Sequence, residues 1–205
     1  MLLAQIKQGA TVKSANLLYR GDAATKSRKL ISSAFAAGLM ESAMDEYVNI
    51  VNAELLAKER GINITESTSS EVGDFTTMIR ASIETDKGEF TASGTIFGKQ
   101  FLRLVRLGQF SLDAYLDGVT LLFSHQDAPG LIGFIGTIFG QHGVNIAQMT
   151  VGRQQPGGDA IAVLNLDSLP SEDALRQVRG HDGIKNVSVV KLPPAGLPQG
   201  NVRLG

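Results

Sequence analysis

Cysteine is absent from the 205 residues, and with it go disulfides, thiolate nucleophiles and thiolate metal ligands. Its absence fits a reducing compartment, and the chain is expected in the cytoplasm. An excess of either charge is absent as well: 19 Lys and Arg stand against 20 Asp and Glu, a net charge of −1. Neither part of the chain hides an imbalance, since residues 1–117 carry 13 basic and 14 acidic groups and residues 118–205 carry 6 and 6. The basic face of a nucleic-acid binder and the polybasic run of a membrane-surface protein are therefore excluded. No long apolar run exists either. Residues 128–152 are uncharged, but Pro129, Gln141, His142, Asn145, Gln148 and six glycines interrupt them. The apolar part, Leu131–Phe139, is about half of what a membrane span needs. The N-terminal Met1-Leu2-Leu3-Ala4 meets Gln5 and Lys7 too soon to form the apolar core of a secretion signal.

Catalytic signatures are missing too. There is no phosphate-cradling GxGxxG or GxxxxGK[ST], no HExxH and no GxSxG. His125, His142 and His181 lack a metal-ligand spacing. No catalytic residue and no metal ligand is assigned, and no cofactor is expected in this chain.

What is present is ample core material, with 43% hydrophobic residues. Val12–Tyr19 reads as a strand. Leu30, Ile31, Ala34, Phe35, Leu39 and Met40 then recur at helical spacing, with Thr25 as the expected cap. Asn52 and Gly61 bracket a short helix over residues 53–61. Phe75–Glu84 and Glu89–Gly98 alternate about Asp86-Lys87-Gly88 and read as a hairpin, and Phe101–Leu107 continues the sheet. Asp117-Gly118 is the expected domain boundary. Beyond it the pattern is strand Val119–His125, helix Pro129–His142, strands Val144–Val151 and Ala160–Leu166, helix Ser171–Gly180 and strand Val187–Lys191. The order βαββαβ is the ferredoxin-like plan. The fold class expected is α+β in two domains, an α+β domain over 1–117 and a ferredoxin-like domain over 118–192, with a mobile tail at 193–205. The pentapeptide Gly-Thr-Ile-Phe-Gly occurs at 94–98 and 136–140, once in an expected strand and once in an expected helix, so it is no repeat.

The chemistry-bearing segment is His125-Gln126-Asp127-Ala128-Pro129-Gly130-Leu131, at a strand-to-helix corner. A helix start offers free N–H groups to a carboxylate, and an adjacent Asp can take an ammonium, so the corner suits both ends of a zwitterion. In the plainer reading Asp127 caps the helix and Asn145 fills a tight turn. Glycines 133, 136 and 140 leave one helix face bare for the close approach of another backbone.

These residues carry a resemblance. HQDAPGLIGFIGTIFGQHGVNIAQMTVGR (125–153) resembles the ACT domain at the C-terminus of D-3-phosphoglycerate dehydrogenase, whose pattern is D-x-P-G-x-[IL]-G, then G-V-N-I, then V-G-R before a glycine turn. Val48–Gly61 with Ile62 and Gly94–Gly98 are similar to the intervening domain of the long form of that enzyme. Glu54 stands where that family usually has Pro, and both suit the first turn of a helix. The resemblance covers about residues 12–191 and implies a regulatory region lacking the substrate and NAD-binding domains. NAD then belongs to the parent enzyme, and this chain alone is not expected to oxidise anything.

The ligand implied is L-serine, bound between two ACT domains of a homo-oligomer for feedback inhibition. His125 and Asp127 would come from one subunit and Asn145 from the other. Asp127 would take the ammonium, Asn145 and the N–H groups near Gly130 and Leu131 the carboxylate, and His125 the hydroxyl. The resemblance also implies a second, anionic effector in the first domain, phosphate or 3-phosphoglycerate, with Arg103 and Arg106 as candidates. Another expected basic position falls near Tyr115, and both arginines read equally as solvated charges. Arg153 reads as paired with a neighbouring carboxylate or as lining the inter-domain surface. The alternative is a free-standing amino-acid-sensing assembly module, for example one serving a serine dehydratase.

Overall fold

Ala15, Leu17 and Tyr19 alternate with more exposed neighbours along the first strand, as a sheet with one covered face requires. In the computed structural model, which describes residues 1–25, 28–41, 47–71, 73–98 and 101–194, the elements are α1 (Leu2–Ile6), β1 (Val12–Gly21), α2 (Asp22–Thr25), α3 (Arg28–Met40), α4 (Ala53–Glu59), β2 (Asn63–Ser69), β3 (Thr77–Thr85), β4 (Gly88–Phe97), β5 (Phe101–Leu107), β6 (Phe110–Tyr115), β7 (Val119–Gln126), α5 (Leu131–Gln141), β8 (Ile146–Arg153), β9 (Asp159–Leu166), α6 (Glu172–Arg179) and β10 (Ile184–Lys191). They build a six-stranded sheet, order β2-β1-β3-β4-β5-β6, and a four-stranded sheet, order β10-β7-β9-β8. The second sheet with α5 and α6 is the ferredoxin-like βαββαβ unit, so the fold is α+β in two domains. The end of the tail, 195–205, lies outside the described residues.

Several local expectations change. Thr25 ends α2, where its hydroxyl donates to the Asp22 carbonyl at 3.0 Å, and is not the cap of α3. Asn52 precedes α4, yet its side chain accepts from the Asn49 N–H at 2.8 Å instead of capping. Gly61, at φ +75°, closes α4 one residue past its cap, with Ile62 N–H donating to the Ala57 carbonyl and Gly61 N–H to that of Lys58. Pro129 lies outside α5, because Gly130 at φ +91° turns the chain before the helix starts at Leu131. Ser171 does cap α6, accepting from the Ala174 N–H at 3.2 Å. β2 and β6 are additions: β2 is a polar edge strand, parallel to β1.

The four-stranded sheet is covered on both faces. Leu121, Phe123, Ala162 and Leu164 pack with Leu131, Ile135, Phe139, Leu175 and Val178 of the helices. Leu122, Val163 and Val190 pack the other way, against Leu104, Leu107 and Ala114 of β5 and β6 and Leu2 of α1. Strands buried on both faces read as near-continuous apolar runs, which is why β7 and β9 do not alternate.

Polar groups close the same interface. The Gln148 side chain spans the free edge of β6, accepting from the Tyr115 N–H at 3.2 Å and donating to the Asp113 carbonyl at 2.9 Å. Asn165, buried, donates to the Tyr115 carbonyl at 3.1 Å and to Thr120 Oγ1 at 3.2 Å. Gly152 of β8 lies so close to β6 that an added Cβ would stand 2.7 Å from the Ser111 carbonyl oxygen. Gly152→Ala is therefore expected to destabilise the chain by about 1–3 kcal/mol, the usual range for overpacking. Urea unfolding checks this, and an unchanged midpoint would show that the two domains pack loosely.

Candidate functional site

Main-chain bonds hold the end of β7 from two sides. Gln126 N–H donates to the Gly183 carbonyl at 3.1 Å and Asp127 N–H to the Gly158 carbonyl at 2.9 Å, so the loops before β10 and β9 fix the corner. The Asp127 carboxylate then accepts from Arg153 Nη1 at 2.6 Å and from the Gly157 N–H at 3.0 Å. It does not cap α5. The first turn of α5 has Gly130 as its N-cap and no side-chain cap bond, which leaves its N–H dipoles for an anion.

His125, 4% exposed, completes the corner. Its Nδ1 lies 2.8 Å from the Gln126 carbonyl oxygen, an acceptor, so Nδ1 carries the proton. In the neutral ring Nε2 is then an acceptor, and it has no hydrogen-bond partner among the described residues. The other two histidines are engaged elsewhere. His142 lies between Ser171 and Gln177, and the His181 ring packs on Phe134 at 4.6 Å. No group of three metal-ligating side chains stands together among the described residues.

Asn145 is not at this corner. Its carbonyl accepts from Asp167 N–H at 3.1 Å and its side-chain amide donates to the Asp167 carboxylate at 2.7 Å. Asp127 and Asn145 are thus anchored to opposite ends of β9, roughly 25 Å apart at the strand rise. One chain assembles His125, Asp127, Gly130 and Leu131 and holds Asn145 away from them. Asp167, bonded to Asn145 through both main chain and side chain, has no motif to announce it.

The arginines of β5 separate as well. Arg103 is largely buried, its side chain 16% exposed. Its Nε stands 3.6 Å from Asp113, its Nη1 donates to Gln148 at 3.3 Å, and its guanidinium covers the Tyr115 ring at 4.0 Å. Arg106 is exposed on the same strand. Arg153 is paired with a carboxylate, that of Asp127, at 2.6 Å.

Taken together, the topology and the corner define a two-domain protein that carries an ACT domain. Comparison with known families agrees: residues 1–108 match the D-3-phosphoglycerate dehydrogenase intervening domain, and residues 119–182 match the ACT domain. The chain belongs to the D-3-phosphoglycerate dehydrogenase family and corresponds to its C-terminal regulatory region. It is 33% identical to D-3-phosphoglycerate dehydrogenase of Methanocaldococcus jannaschii over 93% of this chain and 36% of the relative. With the Bacillus subtilis enzyme of that name it is 32% identical, over 89% of this chain and 35% of the relative. The chain thus spans about a third of the length of the curated relatives it matches. No helix among the described residues is long and apolar enough to cross a membrane.

The Arg153 guanidinium and the Gly157 N–H hold the Asp127 carboxyl below its ordinary value of 3.8. A carboxylate whose pKa is depressed on folding contributes stability above its unfolded value and loses it as pH falls through the folded value. Asp127→Asn is therefore expected to lower the melting temperature at neutral pH, with the difference from wild type closing as pH falls below the carboxyl's ordinary value and through its lowered folded one. A difference of the same size at both ends of a pH series would show that the ion pair adds nothing.

Proposed function

We propose that this chain is the serine-sensing part of a D-3-phosphoglycerate dehydrogenase, binding L-serine between the ACT domains of two subunits so that the end product restrains its own synthesis. The observation that carries the reading is the corner of β7 and α5: an uncapped helix start, an ionised Asp127 and a buried His125 acceptor stand within a few residues of one another. An amino acid with a side-chain hydroxyl can use all three. Its carboxylate meets the N–H groups at Leu131, its ammonium meets Asp127 as the half-exposed Arg153 swings aside, and its hydroxyl donates to His125 Nε2 once the same movement uncovers that buried atom.

Asn145 then comes from the second subunit. Among the described residues β8 ends its sheet with no strand on its outer side and nothing covers the helix face at Gly133, Gly136 and Gly140, so a two-fold pairing along β8 has room to form. Such a pairing runs the two β8 strands in opposite directions, which brings Asn145 of one chain toward the Asp127 end of the other. Because the sheet is buried on its other face against β5 and β6, a change in the ACT pair moves the first domain with it. For an anionic effector such as phosphate or 3-phosphoglycerate, Arg106 is the exposed cation of β5, Arg103 being engaged with Asp113 and Gln148. The parent enzyme would supply the NAD site and the chemistry.

Serine titrations of Asp127→Asn and Asn145→Ala test the reading. Each homodimer is expected to bind serine at least about tenfold more weakly than wild type, as loss of a charge-assisted partner requires. Mixing the two variants is expected to restore one intact site per heterodimer. Wild-type affinity in Asp127→Asn would overturn the ammonium assignment, and a mixture that recovers nothing would overturn the shared site.

A further inference from the structure

Between the two domains, on the face of the four-stranded sheet away from its helices, lies a cleft of about 580 Å³. A volume in the range of roughly 300–1,000 Å³ at a domain boundary is where small-molecule sites concentrate. Apolar wall comes from Phe90 of β4, Phe110 of β6, Leu122 of β7 and Ile161 of β9, with polar side chains such as Thr91, Gln109 and Ser124 between them. Among the described residues its charged lining is Lys7, Lys87 and Glu89, an excess of one positive charge.

The two lysines are the unusual part. Lys7 Nζ donates to the Ala10 carbonyl at 2.8 Å, and Lys87 Nζ lies 3.5 Å from the Gln8 carbonyl. Both ammonium groups thus meet the same short loop after α1, and neither forms an ion pair among the described residues. Carbonyl oxygens satisfy hydrogen bonds without cancelling charge. Backbone strain gathers at the same place. Gln8 at φ +48° and Asn186 at φ +51° are the two non-glycine residues with positive φ among the described residues, and both line the cleft. Their side chains reach Ser188 and Ser124 at 3.0 Å each, bracing the loop and β10 against the sheet. Strain held by such bonds is commonest at ligand clamps and switch regions.

We propose that this cleft is a second ligand site, distinct from the β7–α5 corner, and that it takes a small amphipathic carboxylate. The acid group lies between Lys7 and Lys87 and the apolar body on Phe90, Phe110 and Ile161. The single excess charge suits a monoanion over a phosphate dianion, and Phe90, Phe110 and Ile161 favour an apolar body that serine lacks. Ser124 lies on β7 three residues before Asp127, so occupancy stiffens the strand that ends in the effector corner.

Amide resonances of the whole chain, followed by NMR during titration with 3-phenylpropionate, its neutral analogue 3-phenylpropionamide, inorganic phosphate and L-serine, test this. The acid is expected to give saturable shifts at Thr91, Gly108 and Ile161 in the millimolar range. The neutral amide and the Lys7→Ala and Lys87→Ala variants are each expected to weaken binding about fivefold, the worth of one partly exposed charge contact. Absence of saturable shifts would overturn the site, equal binding of acid and amide would overturn the carboxylate, and equal shifts with phosphate would overturn the apolar body. Serine is expected to perturb residues 125–131 and leave the cleft resonances unchanged. Serine shifts in the cleft would overturn the separation of the two sites, while silence everywhere with serine bears on the corner alone.

Discussion

Burial of one four-stranded sheet on both faces is the constraint on which the rest of the molecule depends. β7 sends Leu121 and Phe123 to the helices and Leu122 to the first domain, so a single strand belongs to two cores. Apolar burial on this scale is the largest favourable contribution to folding, and here it cannot be divided cleanly between domains. Gly152 shows how close the approach is, since no Cβ fits against the Ser111 carbonyl. A hinge between the domains would expose Leu104, Leu107, Val163 and Val190 together. The geometry instead makes the sheet a common wall through which the two domains share any displacement.

The same wall explains where the candidate site's groups stand. β7 ends at a corner locked by main-chain bonds to Gly158 and Gly183, so Asp127 is placed by backbone and not by the reach of its own side chain. Polar residues at the wall are likewise matched to backbone groups: Gln148 satisfies the edge of β6 where it is exposed, and buried Asn165 satisfies the Tyr115 carbonyl, where an unpaired group would be costly. The price of that tight closure is visible at the cleft, where Gln8 and Asn186 adopt unfavourable backbone conformations to complete the junction.

Much of this was legible in the sequence, and the exceptions have physical causes. The second domain reads well because each element carries its own signal, including Ser171 before α6 and the glycines about α5. Element ends were less legible: Pro129 suits a first helical turn, but the positive φ of Gly130 delays the start of α5, and no spacing rule announces it. β2 escapes a pattern search because an edge strand has few core positions, and Ile64 is its only large apolar residue. The pentapeptide Gly-Thr-Ile-Phe-Gly shows the limit of local reading, being strand in β4 and helix in α5, each set by its neighbours. Arg103 and Arg106 look alike in sequence, yet one is wedged against Tyr115 and Asp113 and the other is exposed, a difference that only the packing of β6 and β8 creates. The corner itself was visible as a motif, while the pairing of Asp127 with Arg153, 26 residues on, required the β8–β9 turn to fold back.

Serine held by two chains is the proposal that fits a single chain keeping Asp127 and Asn145 at opposite ends of β9. Sedimentation equilibrium across a dilution series, with and without saturating L-serine, tests it most directly. A ligand shared by two chains must tighten their association by mass action, so serine is expected to shift the monomer–dimer equilibrium toward dimer. Saturable serine binding by the monomer, with no effect on association, would contradict the account.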